Sequence, residues 1–181
     1  LPAVLRQIVE SARETAGAQY AALGVIGSDD LLEEFIHVGM DDTTVDAIGD
    51  LPKGRGLLGA LIEHPQPIRL QHIVDDSRSS GFPPGHPSMT TFLGVPIRSR
   101  DRVFGNLYLT NRRDGGEFTA EDEELISALA ATASIAIENA RLYEESRQRQ
   151  EWLRASGEIS RNLLLSEDNE LDTLRRIAVS V

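Results

Sequence analysis

A chain of 181 residues with 40% apolar and 26% charged side chains can bury a sizeable core and has the composition of a soluble globular protein. A net charge of −11 argues against a nucleic-acid partner held through phosphates, and the absence of cysteine removes disulfides, thiolate catalysis and cysteine zinc sites together. No unbroken apolar run approaches the roughly 18 residues of a membrane helix and no signal peptide is visible, so the expected setting is cytoplasmic, with no membrane contact.

In chain order, Val4, Leu5, Ile8, Val9 and Ala12 recur at helical spacing, which predicts an amphipathic helix over 1–16 stopped by Gly17. "AQYAALGVI" reads as a strand, "SDD" as a turn and "LEEFIHVG" as a returning strand. "DDTTVDAIGDL" carries helix-start residues. "PKGRGLLGALIEHPQP" reads as a glycine-rich turn, a short helix and a stop, with "IRL" as a strand after it. Residues 71–91 form an irregular stretch, and a loop near that length inside a compact domain is usually functional when real. "FLGVPIRSRDRVFGNLYLTNRR" then predicts a hairpin turning near Arg100 and Asp101. From Thr119 a long helical pattern begins, with Glu121, Asp122 and Glu123 in its first turn, where the helix dipole favours acids. Its expected apolar stripe is Leu125, Ile126, Leu129, Ala133, Ile137 and Leu142. The pattern outlasts the core of one domain. The expected organisation is one domain over 1–142, a helical linker over 143–166 that pairs with a second copy, and the start of a further domain over 167–181. The chain reads as a piece of a longer protein, because it opens on Leu1 and stops on an apolar pattern.

Most candidate sites have bland explanations. "GRGLLG" lacks the ending of a phosphate loop and reads better as a turn opening a helix. Asp41–Asp42 and Asp75–Asp76 lack calcium-loop spacing and read as solvated turns. Ser88 has nothing to mark it as a nucleophile. His37, His64 and His72 read as satisfied polar or surface groups. His86 differs: Pro83, Pro84 and Pro87 restrict the backbone around it, which lowers the entropic cost of holding an imidazole against a metal. A lone loop histidine is nonetheless most often solvated. In "GNLYLT", Leu107 and Leu109 alternate with Tyr108, so those leucines can face helices and leave Tyr108 with Phe104 on the other side, where a buried hydroxyl needs a partner.

The order of elements resembles a GAF domain: an α+β fold with a central antiparallel sheet, helices on one face, and a ligand pocket under a long loop on the other. "LPAVLRQIVESARETAGAQYAALGV", "IGDLPKGRGLLGALIEHPQPIRL" and "GFPPGHPSMTTFLGVP" resemble, more narrowly, the first GAF domain of DevS/DosT-type sensor histidine kinases, over residues 1–152. That resemblance implies haem b as cofactor, with His86 as the iron ligand and Tyr108 over the opposite haem face. It also places Phe92 and Gly94 at the cofactor, and Gly24 where glycine rather than glutamate leaves an open route to it. One histidine ligand leaves the iron a position for a gas.

The implied function is sensing of a diatomic gas (O2, NO or CO) or of iron redox state. The fragment itself is expected to be non-catalytic. It would act as a homodimer through its last helix, and its kinase region, beyond this chain, would signal to a response regulator. A haem-free GAF module that binds a small metabolite or mediates dimerisation is the alternative. Methionine sulfoxide reduction and cysteine-linked bilin attachment, which other GAF folds support, both need the missing cysteine.

Overall fold

A computed structural model describes residues 1–27, 32–49, 56–100 and 102–179, the side chains of 158–179 excepted. The expected turns at "SDD" and at Lys53 and Gly54, and the Asp101 position of the hairpin, lie outside the described residues.

Helix α1 spans Pro2–Thr15 and buries Leu5, Ile8, Val9 and Ala12, the stripe its spacing predicts. Each large apolar side chain taken from water there contributes about 1.5–3 kcal/mol. Gly17 ends the turn at a φ of 61°, which glycine adopts without strain. Strands β1 (Ala18–Ile26) and β2 (Leu32–Val38) follow, then helices α2 (Asp42–Ile48) and α3 (Leu57–Glu63), and the short strand β3 (Ile68–Leu70). The 71–91 segment is irregular except for a short 3-10 turn over Ile73–Asp75. Strands β4 (Phe92–Ser99) and β5 (Arg102–Arg112) form the hairpin, and α4 runs over Ala120–Val179. The sheet is antiparallel throughout, in the order β2-β1-β5-β4-β3.

The alternation of side chains divides this sheet into two working faces. Leu23, Val25, Ile36, Leu93, Val95, Leu107 and Leu109 point to one face and pack with α1 and with Ile126, Ala130, Ala133 and Ile137 of α4. Phe92, Tyr20 and Tyr108 point to the other, with Leu57 and Leu61 of α3, Ile73 and Met89. The expectation that Phe104 shares the face of Tyr108 is corrected. Ile97 pairs with Gly105 and Arg98 with Val103, so Phe104 is the extra residue of a bulge and turns into the helix-covered core. A Cβ at Gly105 would collide with the carbonyl of Gly24 on the neighbouring strand, so this close approach requires glycine.

The start of α4 is held by a reciprocal cap. The Thr119 backbone N–H and hydroxyl donate to Asp122 Oδ2 at 2.8 and 3.0 Å, and the Asp122 N–H donates to Thr119 Oγ1 at 3.1 Å. Arg112 Nη1 meets the same carboxylate oxygen at 2.7 Å, which ties the helix to the end of β5. Leu125 and Leu142, expected in the buried stripe, are instead 50% and 58% exposed, because the buried stripe centres on Ile126, Ala130, Ala133 and Ile137.

Between Ala120 and Gly157 the helix contains an 18-residue stretch of mean hydropathy 1.2, apolar enough by length and composition to cross a membrane. The expectation drawn from unbroken apolar runs overlooked it, since alanines carry much of that hydropathy. Part of it belongs to the core stripe just described. The chain divides into two compact units, Leu1–Glu138 and Asn139–Val181, and α4 continues through positions 142 and 166 without a break.

Candidate functional site

The second face of the sheet floors a cavity of about 420 Å³, within the range of small-molecule sites. Its floor is Tyr20, Ala22, Phe35, His37, Phe92, Tyr108 and Thr110; α2 and α3 add Val45, Ile48, Leu57 and Leu58. The long loop supplies the rest of the wall, from Ser79 to Pro83 and then His86 and Met89. The irregular loop thus forms one wall of this cavity.

His86 is half-buried in this wall. Its ring stacks on Phe82, with centroids 4.8 Å apart and planes 24° from parallel. Its backbone N–H donates to the Pro83 carbonyl at 3.2 Å, while Gly85, at a φ of 81°, brings the turn against the carbonyl of Ala47 in α2. Nδ1 lies 2.9 Å from the Pro87 carbonyl. A carbonyl only accepts, so Nδ1 carries the proton and Nε2 of the neutral ring keeps a free lone pair. This tautomer is one that can ligate a metal through Nε2.

The loop end is pinned by a residue that sequence patterns did not single out. Asn111, at the end of β5, has a φ of 57°, a left-handed conformation that asparagine tolerates better than most residues. Its Oδ1 accepts from Thr90 N–H at 2.7 Å and its Nδ2 donates to the Ser88 carbonyl at 2.8 Å. Ile73 N–H donates to the Thr90 carbonyl at 2.8 Å, closing the loop on itself. Upstream, Arg78 binds Asp76 through two nitrogens at 2.8 and 2.7 Å. The Arg78 hydrogen bonds hold the Asp76 carboxyl down at about 2, against an ordinary value of 3.8.

Tyr108 stands on the floor, its ring stacked with Phe92 at 6.1 Å and 23°. Burial pushes its hydroxyl well above the usual tyrosine value. Among the described residues the hydroxyl has no hydrogen-bond partner. Two further polar atoms of the floor are buried without a partner, His37 Nδ1 and Thr110 Oγ1. His37 therefore differs from its expectation as a satisfied or surface group. A buried unpaired polar atom costs about 1–3 kcal/mol, and His37 Nδ1 and Thr110 Oγ1 carry that cost in the floor.

Of the other candidate positions, Phe92 lines the cavity and the two glycines do not. A Cβ at Gly94 would stand 2.6 Å from both Leu61 Cδ1 and the Phe92 ring, so this glycine lets α3 close onto the sheet beside Phe92. At Gly24, Leu32 Cδ1 lies 3.0 Å from where a Cβ would be and Asn106 Oδ1 3.5 Å. His64 closes α3 and His72 precedes the 3-10 turn; both are exposed, outside the cavity. Asp41 caps α2 by accepting from Thr44 N–H at 2.7 Å. No cluster of three or more His, Asp or Glu side chains suited to a metal occurs among the described residues.

Comparison with known proteins agrees with this architecture. The family profile described as GAF domain matches residues 1–138. The chain is 27% identical over 154 residues to a dual 3′,5′-cyclic-AMP and -GMP phosphodiesterase 11A of Takifugu rubripes, an alignment that covers 81% of this chain and 17% of that protein. A probable 3′,5′-cyclic phosphodiesterase of Caenorhabditis elegans is 22% identical, over 99% of this chain and 26% of its own length. The chain thus spans only a minor part of these curated relatives. Among solved structures, the GAF domain of a phosphoenolpyruvate-protein phosphotransferase from Coxiella burnetii superposes with a TM-score of 0.65 at 25% identity, covering 78% of this chain and 84% of that one. The second GAF domain of DevS from Mycobacterium smegmatis superposes with a TM-score of 0.57 at 22% identity, covering 80% and 98%, a likeness of fold. With its profile match, its five-stranded sheet and its covered cavity together, the chain belongs to the GAF domain family.

Proposed function

We propose that this GAF domain binds haem b and senses a diatomic gas or the iron's redox state. The observation that carries this proposal is the pairing of His86 and Tyr108 in one cavity, the first with a free Nε2 and the second with an unpartnered hydroxyl. When bound, haem supplies an iron atom with one position for a protein ligand and another for a gas. His86 is the residue fitted to the first. The Phe82 stack and the Pro87 carbonyl hold its ring in one orientation and one tautomer. Tyr108 donates a hydrogen bond to a polar guest and keeps its proton because burial opposes ionisation. Aromatic and aliphatic side chains make up most of the cavity walls.

Within the same proposal the chain is the cytoplasmic sensor region of a two-component histidine kinase. It passes its state along α4 to a kinase region and so to a response regulator. Exposed Leu142, Tyr143, Trp152 and Leu153 on α4 support pairing with a second copy of the chain. Haem loading of the full chain tests the cofactor: an intense band at the violet edge of the visible spectrum is expected, and its absence from a folded chain would overturn the assignment.

A haem-free metabolite site is the second reading, favoured by the cyclic-nucleotide phosphodiesterases among the relatives. A cyclic nucleotide would bring its phosphate into the cavity, and among the described lining residues there is no lysine or arginine to meet it. Haem can leave its carboxylates at the mouth in water. Titration with cyclic AMP and cyclic GMP separates the two.

A further inference from the structure

His37 lies in strand register with Tyr108 on the cavity floor. His37 pairs with Ala22, and Ala22 pairs with Tyr108, so the three form one row across β2, β1 and β5. Tyr20 and Ala22 of β1, Phe35 and His37 of β2, and Tyr108 and Thr110 of β5 all line the cavity. Two strand spacings separate the outer members of the row, about 9–10 Å. Between them stands only a methyl group. The row therefore makes a slot with an imidazole on one side and a phenol on the other. Neither has a hydrogen-bond partner among the described residues, and the Nδ1 of His37 is buried. Thr110, 2% exposed and two residues along β5 from Tyr108, adds a third unpaired group at the same floor.

His37 Nδ1 and Thr110 Oγ1 are buried beneath the cavity surface, so a guest above Ala22 would meet the His37 ring through Nε2 and Tyr108 through its hydroxyl. We propose that His37 is a second gas-side binding residue, which together with Tyr108 holds a small polar guest, a diatomic gas or the water that attends it, in the slot above Ala22. The identity of the guest as a gas rests on the haem proposal; the slot itself rests on strand register and unpaired atoms. Phe35, with its ring centroid 6.0 Å from that of His37, limits how far the imidazole can swing away. His37 is then a specificity-determining residue rather than an iron ligand, and its effect should be shared with Tyr108 because both act on one guest.

The experiment compares the full chain with His37→Phe, Tyr108→Phe and the double variant, in two measurements. Thermal unfolding of the haem-free proteins comes first. His37→Phe keeps a ring and removes the unpaired nitrogens, so its melting temperature should rise by roughly 2–4 °C; a fall would mean that His37 serves the fold and would overturn the proposal. Oxygen and carbon monoxide dissociation from the haem-loaded proteins come second. His37→Phe should speed oxygen release about tenfold with little change for carbon monoxide, and the double variant should lose less than the product of the single effects. Unchanged oxygen release in a haem-loaded His37→Phe overturns the role of His37 and leaves the haem assignment standing. A gas-free, six-coordinate low-spin spectrum that His37→Phe abolishes would show that His37 ligates the iron, and also overturns it. A wild-type chain that takes up no haem overturns the haem proposal, and the gas-side role with it.

Discussion

On the haem proposal, Tyr108 is the residue whose hydroxyl chooses between ligands of the same size. Its ring stacks on Phe92 and burial opposes its ionisation, so it would offer a hydrogen-bond donor from a set position. Oxygen accepts such a bond strongly in its complex with ferrous haem, and carbon monoxide weakly. Replacing Tyr108 with Phe should therefore raise the oxygen dissociation rate ten- to a hundredfold, for a bond worth about 1.5–3 kcal/mol, with carbon monoxide far less affected. Equal losses for both gases in stopped-flow measurements would reduce Tyr108 to a space-filling role. Asn111 acts at one remove, through the loop. Asn111→Ala deletes two hydrogen bonds to the segment just after His86 and leaves a left-handed backbone without its side-chain support. A loss of about 1–3 kcal/mol in urea unfolding is expected, with faster haem release. Asn111→Gly, which relieves the backbone alone, should fall between the two. Haem release at the wild-type rate from Asn111→Ala would show that the loop holds its shape without this clamp.

At the scale of elements, the proposal places the functional burden on the loop and the last helix. The Asp76–Arg78 pair shapes the turn that leads into the cavity-lining segment from Ser79 to Pro83. Because the folded-state carboxyl is depressed from 3.8 to about 2, its stabilisation is complete above pH 4 and is lost as pH falls through 2. The stability gap between the native chain and Asp76→Asn should thus close over that window, as followed by urea titration at stepped pH. Parallel pH curves would remove the pair from the account. For α4, the exposed Leu142, Tyr143, Trp152 and Leu153 predict that the full chain self-associates and that a chain ending at Glu138 does so less. Sedimentation that is independent of the truncation would leave the helix without a partner.

These elements were unequally legible in the sequence. β1 and the hairpin strands announce themselves through apolar runs bounded by turn residues, and α1 through its stripe. Phe104 misleads because a bulge adds a residue and breaks the alternation on which face assignments depend. Leu125 and Leu142 mislead because helical periodicity gives a stripe but not which edge of it meets the sheet. His86 was visible because three prolines surround it. His37 was not, although it alternates with Ile36 and Val38, since only the pairing across Ala22 shows that its face belongs to the cavity and to Tyr108.

On the scale of the whole molecule, the sheet separates two tasks. One face, packed by α1 and the first turns of α4, supplies the stability of the domain. The other floors a cavity and holds two buried unpaired polar atoms, His37 Nδ1 and Thr110 Oγ1. The two cores share few side chains, so emptying or filling the cavity should leave the helix-covered core intact. This separation also makes the central claim testable by a single substitution in the loop. The measurement is haem titration of the full chain and of His86→Ala, followed by visible absorption, with circular dichroism to check the fold. The account predicts equimolar, saturable uptake by the native chain and none by the variant, with the fold of both intact. Full uptake by His86→Ala with an unchanged ferrous spectrum would contradict it.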